Sequence, residues 1–252
     1  MTFSVLGHCP RTGQLGIATT TSGFGVGARV PWARAGVGVV ATQHRTDPRL
    51  GPRGLALLQS GCPAAQTVAA LAASTPDHRW RQIGVIDQWG DTAFFHGALV
   101  KPRSGAVQGP RVLALGNILA NDSVLPAITA AFAALDGPLA GRLIAALEAG
   151  EAAGGEHGAI ASAALLVVER EEFALVDLRV GQHEAPLAGL RALWTEYAPQ
   201  SDAYLRRAID PESMGAWPAP VVLTGLDPAA PQGRGPNPAG AQPRLQMLRE
   251  KQ

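Results

Sequence analysis

The stretch TFSVLGHCPRTGQLGIATTT, residues 2–21, contains two short segments rich in β-branched residues on either side of a turn. TFSVLG (2–7) and LGIATTT (15–21) are separated by HCPRTGQ, in which Pro10 and Gly13 favour a reversal of the chain. The pattern predicts a β-hairpin at the start of the protein. Its strands are antiparallel because a tight turn joins them.

The segments after this hairpin alternate between strands and pairs of helices. The sequence predicts a third strand at 35–43, a helix pair at 53–61 and 63–74, and a hairpin at 81–87 and 92–97 with a further strand at 111–119. It then predicts a second helix pair at 123–135 and 138–150, a third hairpin at 161–170 and 173–180, and two final helices at 185–198 and 201–209. Helices that arrive in pairs between sheet segments must cover sheet faces. The order therefore predicts an α+β fold, a four-layer αββα sandwich of two antiparallel sheets.

The chain divides into a folded unit and an appendage. Residues 1–198 hold the predicted αββα domain, and residues 199–216 are expected to form a C-terminal helical extension. Residues 217–252 are rich in Pro and Gly, which interrupt helices and central strands. We therefore expect an extended or disordered tail there.

Composition and charge exclude several classes of partner. The 252 residues carry a formal net charge of +1 and contain no basic run that suits a phosphate backbone, so nucleic acid is not an expected partner. No apolar stretch reaches the length of a membrane span or a signal peptide, which predicts a cytoplasmic protein without membrane contact. The Ala- and Leu-rich outer helices are compatible with a homo-oligomer.

No metal or cofactor is predicted. The six histidines lack HxxxH and HxH spacing, and the two cysteines do not form a CxxC pair. GFGVGA (23–28) lacks the GxGxxG frame of a dinucleotide site, and GPRGL (51–55) lacks the GK[ST] of a phosphate loop. A small-molecule substrate is the remaining expectation.

Thr2 is the strongest candidate for a catalytic residue. A small second residue favours removal of the initiator Met1, which would leave a hydroxyl and a free α-amine on one residue. A threonine hydroxyl needs a neighbouring base to become a nucleophile. The α-amine, with a reference pKa of about 7.7–8.0, can be that base. The alternative is that Met1 stays and Thr2 merely opens a strand.

Residues at the ends of neighbouring strands are candidates for the rest of the site. Asn117 is the best candidate to stabilise an oxyanion, the alternative being that its amide satisfies a neighbouring backbone group. Thr21, Thr42 and Gln43 follow strands expected beside the first and can lie near Thr2. The alternative for each is an ordinary place on a strand surface.

Three further residues are candidates for substrate binding. Ser162 begins a predicted strand, and Arg53 and Arg29 can bind a substrate carboxylate through the planar guanidinium group. A surface or ion-pair role is the alternative for either arginine. Asp177 and Arg179 share a strand face, which predicts a structural ion pair.

The whole chain resembles a known family. The segments that carry the resemblance are MTFSVLG, GQLGIAT, VGARVPWARAGVGVVATQ, GPRGLALLQSG, RQIGVID, LGNILA, LIAALEAGEAAGG, SAALLVV and DLRV. Over about residues 2–195 the chain is similar to the bacterial "domain of unknown function 1028" family, which is placed among the N-terminal-nucleophile hydrolase folds. In that architecture the first strand starts with the catalytic residue, and here it starts at Thr2.

The chain departs from the family pattern in three places. They are RTDPR (45–49), where the family has Asn-Pro, GGEHGAIAS (154–162), where it has Gly-Gly-Asp followed by Arg-Gly and Gln-Ser, and GQH (181–183), where it has acidic residues. If these positions line a pocket, the substrate or the activity of this chain differs from that of the family.

Three hypotheses for function remain open. In the first, an N-terminal-nucleophile hydrolase uses Thr2 to cleave an amide or related C–N bond of a small metabolite, with Asn117 at the oxyanion. In the second, the same fold is a non-catalytic small-molecule binding or assembly module. In the third, an internal hydroxyl such as that of Thr21 or Ser162 is the nucleophile.

Overall fold

The computed structural model describes residues 1–214, and the tail predicted for 217–252 lies outside this range. The strands and α-helices are β1 Thr2–His8, β2 Leu15–Thr21, β3 Pro31–Arg34, β4 Gly38–His44, α1 Leu50–Gln59, α2 Ala64–Ala73, β5 Arg81–Asp87, β6 Thr92–His96, β7 Gly105–Gly109, β8 Val112–Asn117, α3 Val124–Ala134, α4 Leu139–Ala152, β9 Ser162–Val168, β10 Val176–Val180, α5 Pro186–Tyr197 and α6 Ser201–Ile209. None of the helices between residues 1 and 214 combines the length and apolar character needed to cross a membrane.

Two antiparallel sheets form the middle of the molecule. One has six strands in the order β10-β9-β2-β1-β8-β7, and the other has four in the order β3-β4-β5-β6. Helices α3, α4 and α5 pack on the outer face of the six-stranded sheet, and α1 and α2 cover the four-stranded sheet. The predicted four-layer αββα sandwich is confirmed.

Two strands escaped prediction, and both lie at a sheet edge. β3 has the sequence PWAR and β7 the sequence GAVQG, so each contains residues that weaken a strand. Pro and Gly are tolerated at edges because one side of an edge strand needs no ladder hydrogen bonds. The predicted strand 35–43 accordingly begins later, at Gly38, after a tight turn in which Gly36 has φ 65°.

The side chains of β1 alternate between two cores. Phe3 and Val5 are fully buried against the layer of α3 and α4, whereas Leu6 is fully buried between the two sheets. Successive side chains of a strand point to opposite faces, so Thr2 and Ser4 share the face of Leu6. The start of β1 therefore directs its hydroxyls into the space between the sheets.

The outer helical layer approaches the six-stranded sheet closely because glycines lie beneath it. A Cβ atom at Gly7 would be 2.7 Å from the ring of Phe132, and one at Gly16 would be 2.9 Å from a methyl group of Leu143. Carbon–carbon distances this short do not occur in close-packed protein interiors. The two glycines on β1 and β2 thus allow α3 and α4 to pack where they do.

We predict that Leu143→Ala lowers the free energy of unfolding by about 2–5 kcal/mol, because it leaves a cavity in the outer core. Leu143 is fully buried, and the matched control Leu193→Ala removes a side chain that is 39% exposed. The control should cost no more than about 0.5 kcal/mol. Urea unfolding of both variants measures the difference, and equal losses would contradict the packing described.

Candidate functional site

The start of β1 lies at the centre of the six-stranded sheet, between β2 and β8. Thr2 pairs with Asn117 of β8, and the Thr2 and Thr21 hydroxyl oxygens are 3.2 Å apart. On the far side of β2, Thr21 pairs with Ser162 of β9. Four of the predicted site residues are therefore brought to one end of this sheet.

The Met1 carbonyl oxygen accepts hydrogen bonds from both threonine hydroxyls. Thr2 Oγ1 and Thr21 Oγ1 each donate to it. Thr2 is 6% exposed and Met1 is half-buried. While Met1 is present, a peptide carbonyl thus occupies the place beside the Thr2 hydroxyl.

A pocket of about 230 Å³ opens over these hydroxyls. Its wall is formed by Met1, Thr2, Thr21, Ser22, Gly23, Val26, Arg29, Val30, His44 and Thr46. A larger cavity of about 440 Å³ lies beside Trp194 and Leu205, and its lining includes none of the predicted site residues. The smaller pocket is therefore the one that joins space for a ligand to candidate chemistry.

Gln43 lies between the sheets and bridges them. The Ser4 hydroxyl donates to Gln43 Oε1 at 2.8 Å, and Gln43 Nε2 donates to Gln82 Oε1 at 2.7 Å. Gln82 Nε2 in turn donates to the carbonyl of Gly116 at 2.9 Å. Gln43 does not line the pocket, so its place indicates a supporting role in this buried network.

Asn117 belongs to the same network, pairs with Thr2 in the strand register and does not line the pocket. It is fully buried, and its Nδ2 donates to Gln82 Oε1 at 3.0 Å. An amide group carries two N–H donors and an acceptor oxygen, so one donor remains. Asn117 Oδ1 has no hydrogen-bond partner among residues 1–214. A side chain with free hydrogen-bonding capacity therefore stands opposite the candidate nucleophile.

Ser162 shapes the pocket wall. Its hydroxyl donates to the carbonyl of Gly23 at 2.7 Å and accepts from the backbone N–H of Val26 at 3.1 Å. These bonds fix the turn after β2 that forms one side of the pocket. The hydroxyl is thereby engaged with the backbone.

Thr42 and Arg53 are not brought to the pocket. Thr42 lies on the face of β4 that carries Val40, which packs under α1 and α2, whereas the Thr2 pocket is on the other face. Arg53 is exposed on α1 and donates to Ser74 Oγ at 2.6 Å. The predicted ion pair of Arg179 with Asp177 is present at 2.7 Å.

His44 contributes to the site and was not singled out by the sequence. It has φ 66°, in the left-handed region, and its Nδ1 lies 2.8 Å from the Trp80 carbonyl. Burial lowers the pKa of His44. The positive charges of the Met1 α-amine, Arg45 and Lys101 lower this pKa further, and the hydrogen bond to the Trp80 carbonyl opposes the shift. A neutral ring that donates through Nδ1 keeps Nε2 as an acceptor.

Glu156 is the second residue that sequence reasoning missed. It is 6% exposed, Oε2 accepts from the backbone N–H of Ser22 at 3.0 Å, and Oε1 has no partner in the described part of the chain. Burial raises the pKa of this carboxyl to about 7. The positive α-amine of Met1 and the hydrogen bonds with Ser22 partly oppose this rise. The signal was the carboxylate inside the Gly-rich segment 154–158, which the sequence marked only as a departure from a family pattern.

Comparison with known proteins identifies relatives of this chain. The model of a family of unknown function, DUF1028, matches residues 2–190, which confirms the resemblance seen in the motifs. The solved structure of protein SPO2555 from Silicibacter pomeroyi, also assigned to DUF1028, has 33% sequence identity and a TM-score of 0.73, covering 78% of this chain and 88% of that one. No curated protein matches.

Two more distant solved structures also match. Anbu, an ancestral beta-subunit from Yersinia bercovieri, has 12% identity and a TM-score of 0.39 over 80% of this chain and 96% of that one. An Anbu (Gly-1) mutant from Hyphomicrobium sp. strain MC1 has 12% identity and a TM-score of 0.37 over 81% and 97%. Neither similarity is strong enough to bear on chemistry.

We predict that Gln82→Leu lowers the free energy of unfolding by about 2 kcal/mol or more, because Gln43 and Asn117 lose a buried acceptor and each orphaned group costs about 1–3 kcal/mol. Gln108→Leu is the control, since Gln108 is exposed and bonds Thr92 at the surface. Urea unfolding measures both. A loss no greater than that of the control would show that the network does not stabilise the sandwich.

For the chain that retains Met1, we also predict a pH dependence of stability that Glu156→Gln removes. The folded state holds the Glu156 proton up to a pKa of about 7, compared with an ordinary value of 4.5. Its contribution is therefore full below pH 4.5 and is lost as the pH rises to about 7, a change of about 2–3 kcal/mol. Urea unfolding across this range should show a smaller decline in Glu156→Gln than in the wild type or in the surface control Glu184→Gln.

Proposed function

The chain belongs to the DUF1028 family, and from this and from the geometry at the start of β1 we propose that it is an N-terminal-nucleophile hydrolase. The proposed reaction cleaves an amide or related C–N bond of a small metabolite, with Thr2 exposed by removal of Met1. One observation carries the proposal. The Thr2 hydroxyl lies on the wall of a pocket, and Thr2 pairs with Asn117 of the neighbouring strand.

The proposed reaction begins with attack by Thr2. Oγ1 forms a bond to the substrate carbonyl carbon, and its proton passes to the Thr2 α-amine. The negative charge that develops on the carbonyl oxygen is stabilised by N–H donors, for which Asn117 Nδ2 is the candidate. The C–N bond then breaks, and the α-amine returns the proton to the departing nitrogen.

Water completes the cycle. The first half leaves the acyl group as an ester on Thr2 Oγ1, and the α-amine is again neutral. It accepts a proton from a water molecule that attacks the ester carbonyl. The ester bond breaks, the acid leaves, and the proton returns to Oγ1.

The pocket favours a small substrate that carries a carboxylate. Arg29 lines the pocket and uses one N–H of Nη2 for the Phe24 carbonyl at 2.9 Å, which leaves other guanidinium donors. Arginine binds carboxylates through paired N–H groups. Val26 and Val30 supply apolar wall beside it. We propose Arg29, rather than Arg53, as the arginine that binds substrate.

A non-catalytic binding module is the second candidate. It is favoured by the departures at 154–162 and 181–183 and by the Met1 carbonyl that occupies the site. In that case Thr2→Ala should leave ligand affinity unchanged.

A cytoplasmic location and a homo-oligomer stay predictions.

We predict that an electrophile that acylates N-terminal threonines modifies this protein once, at Thr2. Thr2→Ala should lose the adduct, Thr2→Ser should nearly retain it because the hydroxyl and amine persist, and the exposed-turn control Thr12→Ala should react like the wild type. Intact mass with peptide mapping measures the adduct. An adduct on Thr21 or Ser162, or an equal one on Thr2→Ala, would contradict the proposal.

A further inference from the structure

The segment that carries Glu156 is held against the end of β8. Glu156 forms an isolated bridge with Leu119, and the His157 N–H donates to the Ile118 carbonyl at 3.1 Å. Ile118 directly follows Asn117 and has φ 56°, a conformation that β-branched residues rarely adopt. Strain of this kind persists where surrounding structure enforces it and is frequent at functional sites. The backbone thus fixes Glu156 relative to the strand that carries Asn117.

The carboxylate lies at the level of the residue that precedes Thr2. Thr2 and Thr21 are neighbours across the β1–β2 ladder, and Ser22 is the next residue of that strand. The Ser22 N–H donates to Glu156 Oε2 at 3.0 Å. Continuing the antiparallel register places Ser22 opposite Met1. Removal of Met1 therefore opens the space on this side of Thr2.

The second carboxylate oxygen is buried and lacks a partner. Glu156 Oε1 receives no hydrogen bond from residues 1–214, and a buried unpaired carboxylate is costly. The positive α-amine of Met1 lowers the Glu156 pKa against the effect of burial, so the N-terminal charge acts on this carboxylate while Met1 is present. Removal of Met1 transfers the α-amine to Thr2, the next residue of the chain.

We infer that Glu156 is a positioning residue whose Oε1 accepts a hydrogen bond from the Thr2 α-amine once Met1 has been removed. The inference rests on the proposed function and assigns a partner to its base. A carboxylate there orients the amine lone pair toward Oγ1. It also stabilises the ammonium that forms when the amine accepts the Oγ1 proton, until the proton moves to the departing nitrogen.

Other charged groups around the pocket belong to several elements. Arg29 follows the short helix Val26–Ala28, and His44 ends β4, both on the pocket wall. On the segment of Glu156 itself, Glu151 lies in the last turn of α4 and His157 is exposed. Of these, Glu151 offers the same change of charge without the contact to Ser22. It is the matched control.

The test measures the pKa of the Thr2 α-amine. Full-length protein labelled with ¹³C-threonine, freed of Met1 by co-expression with a methionine aminopeptidase, is titrated while the Thr2 Cα signal is followed by NMR. Glu156→Gln should lower the amine pKa by about one unit or more, because a paired carboxylate stabilises the charged amine. Glu151→Gln should leave it close to the wild-type value.

The outcomes separate the inference from the proposed function. Equal amine pKa values in Glu156→Gln, Glu151→Gln and wild type would overturn the role of Glu156, even if Thr2 is acylated. A lowered amine pKa in Glu156→Gln without acylation of the wild type would support the contact and contradict the hydrolase.

A folding defect in Glu156→Gln does not remove the test. Glu156→Asp keeps the charge on a shorter side chain and should give an amine pKa between those of the wild type and Glu156→Gln. In the wild type alone, the amine pKa should be at or above the reference of about 7.7–8.0. A lower wild-type value would show an amine desolvated without a counter-ion, and would overturn the inference.

Discussion

The placement of β1 at the centre of the six-stranded sheet is the constraint on which the rest of the structure depends. Because β1 pairs on both sides, its first residue is buried, with β2 on one side and β8 on the other. A chain start is ordinarily exposed and mobile. Here Thr2 is 6% exposed, and its hydroxyl is held against Thr21. The fold thus holds a hydroxyl in a fixed place one residue after the start of the chain.

A buried polar network makes that placement precise. Between the sheets the apolar residues that include Leu6 give way to Ser4, Gln43, Gln82 and Asn117, whose hydrogen bonds cross from one sheet to the other. Most buried polar groups in proteins are paired, so the partners in this network help to specify how the two sheets align. The free hydrogen-bonding capacity that remains on Asn117 lies beside Thr2. The network therefore holds Asn117 in place and leaves part of its hydrogen-bonding capacity unused.

The sequence predicted the layers well because hydrophobic periodicity and turn residues are local signals. It also predicted that Thr21, Thr42 and Gln43 can lie near Thr2, since each follows a strand expected beside the first, and of these three only Thr21 reaches the pocket. The sequence could not show which face of β4 is directed toward the pocket. A shift of one residue exchanges the faces of a strand, which is why neighbouring Thr42 and Gln43 have different surroundings.

Glu156 and His44 could not be predicted because their importance depends on distant backbone. Glu156 reaches the site through its bridge to Leu119 and the Ser22 N–H, and His44 through an unusual φ angle.

The measurement that tests the account most directly is intact-mass and N-terminal analysis of the purified full-length protein. The account predicts a chain that lacks Met1 and begins with Thr2, with a free α-amine. A homogeneous chain that retains Met1 would contradict it, since Thr2 would then have no amine to act as its base.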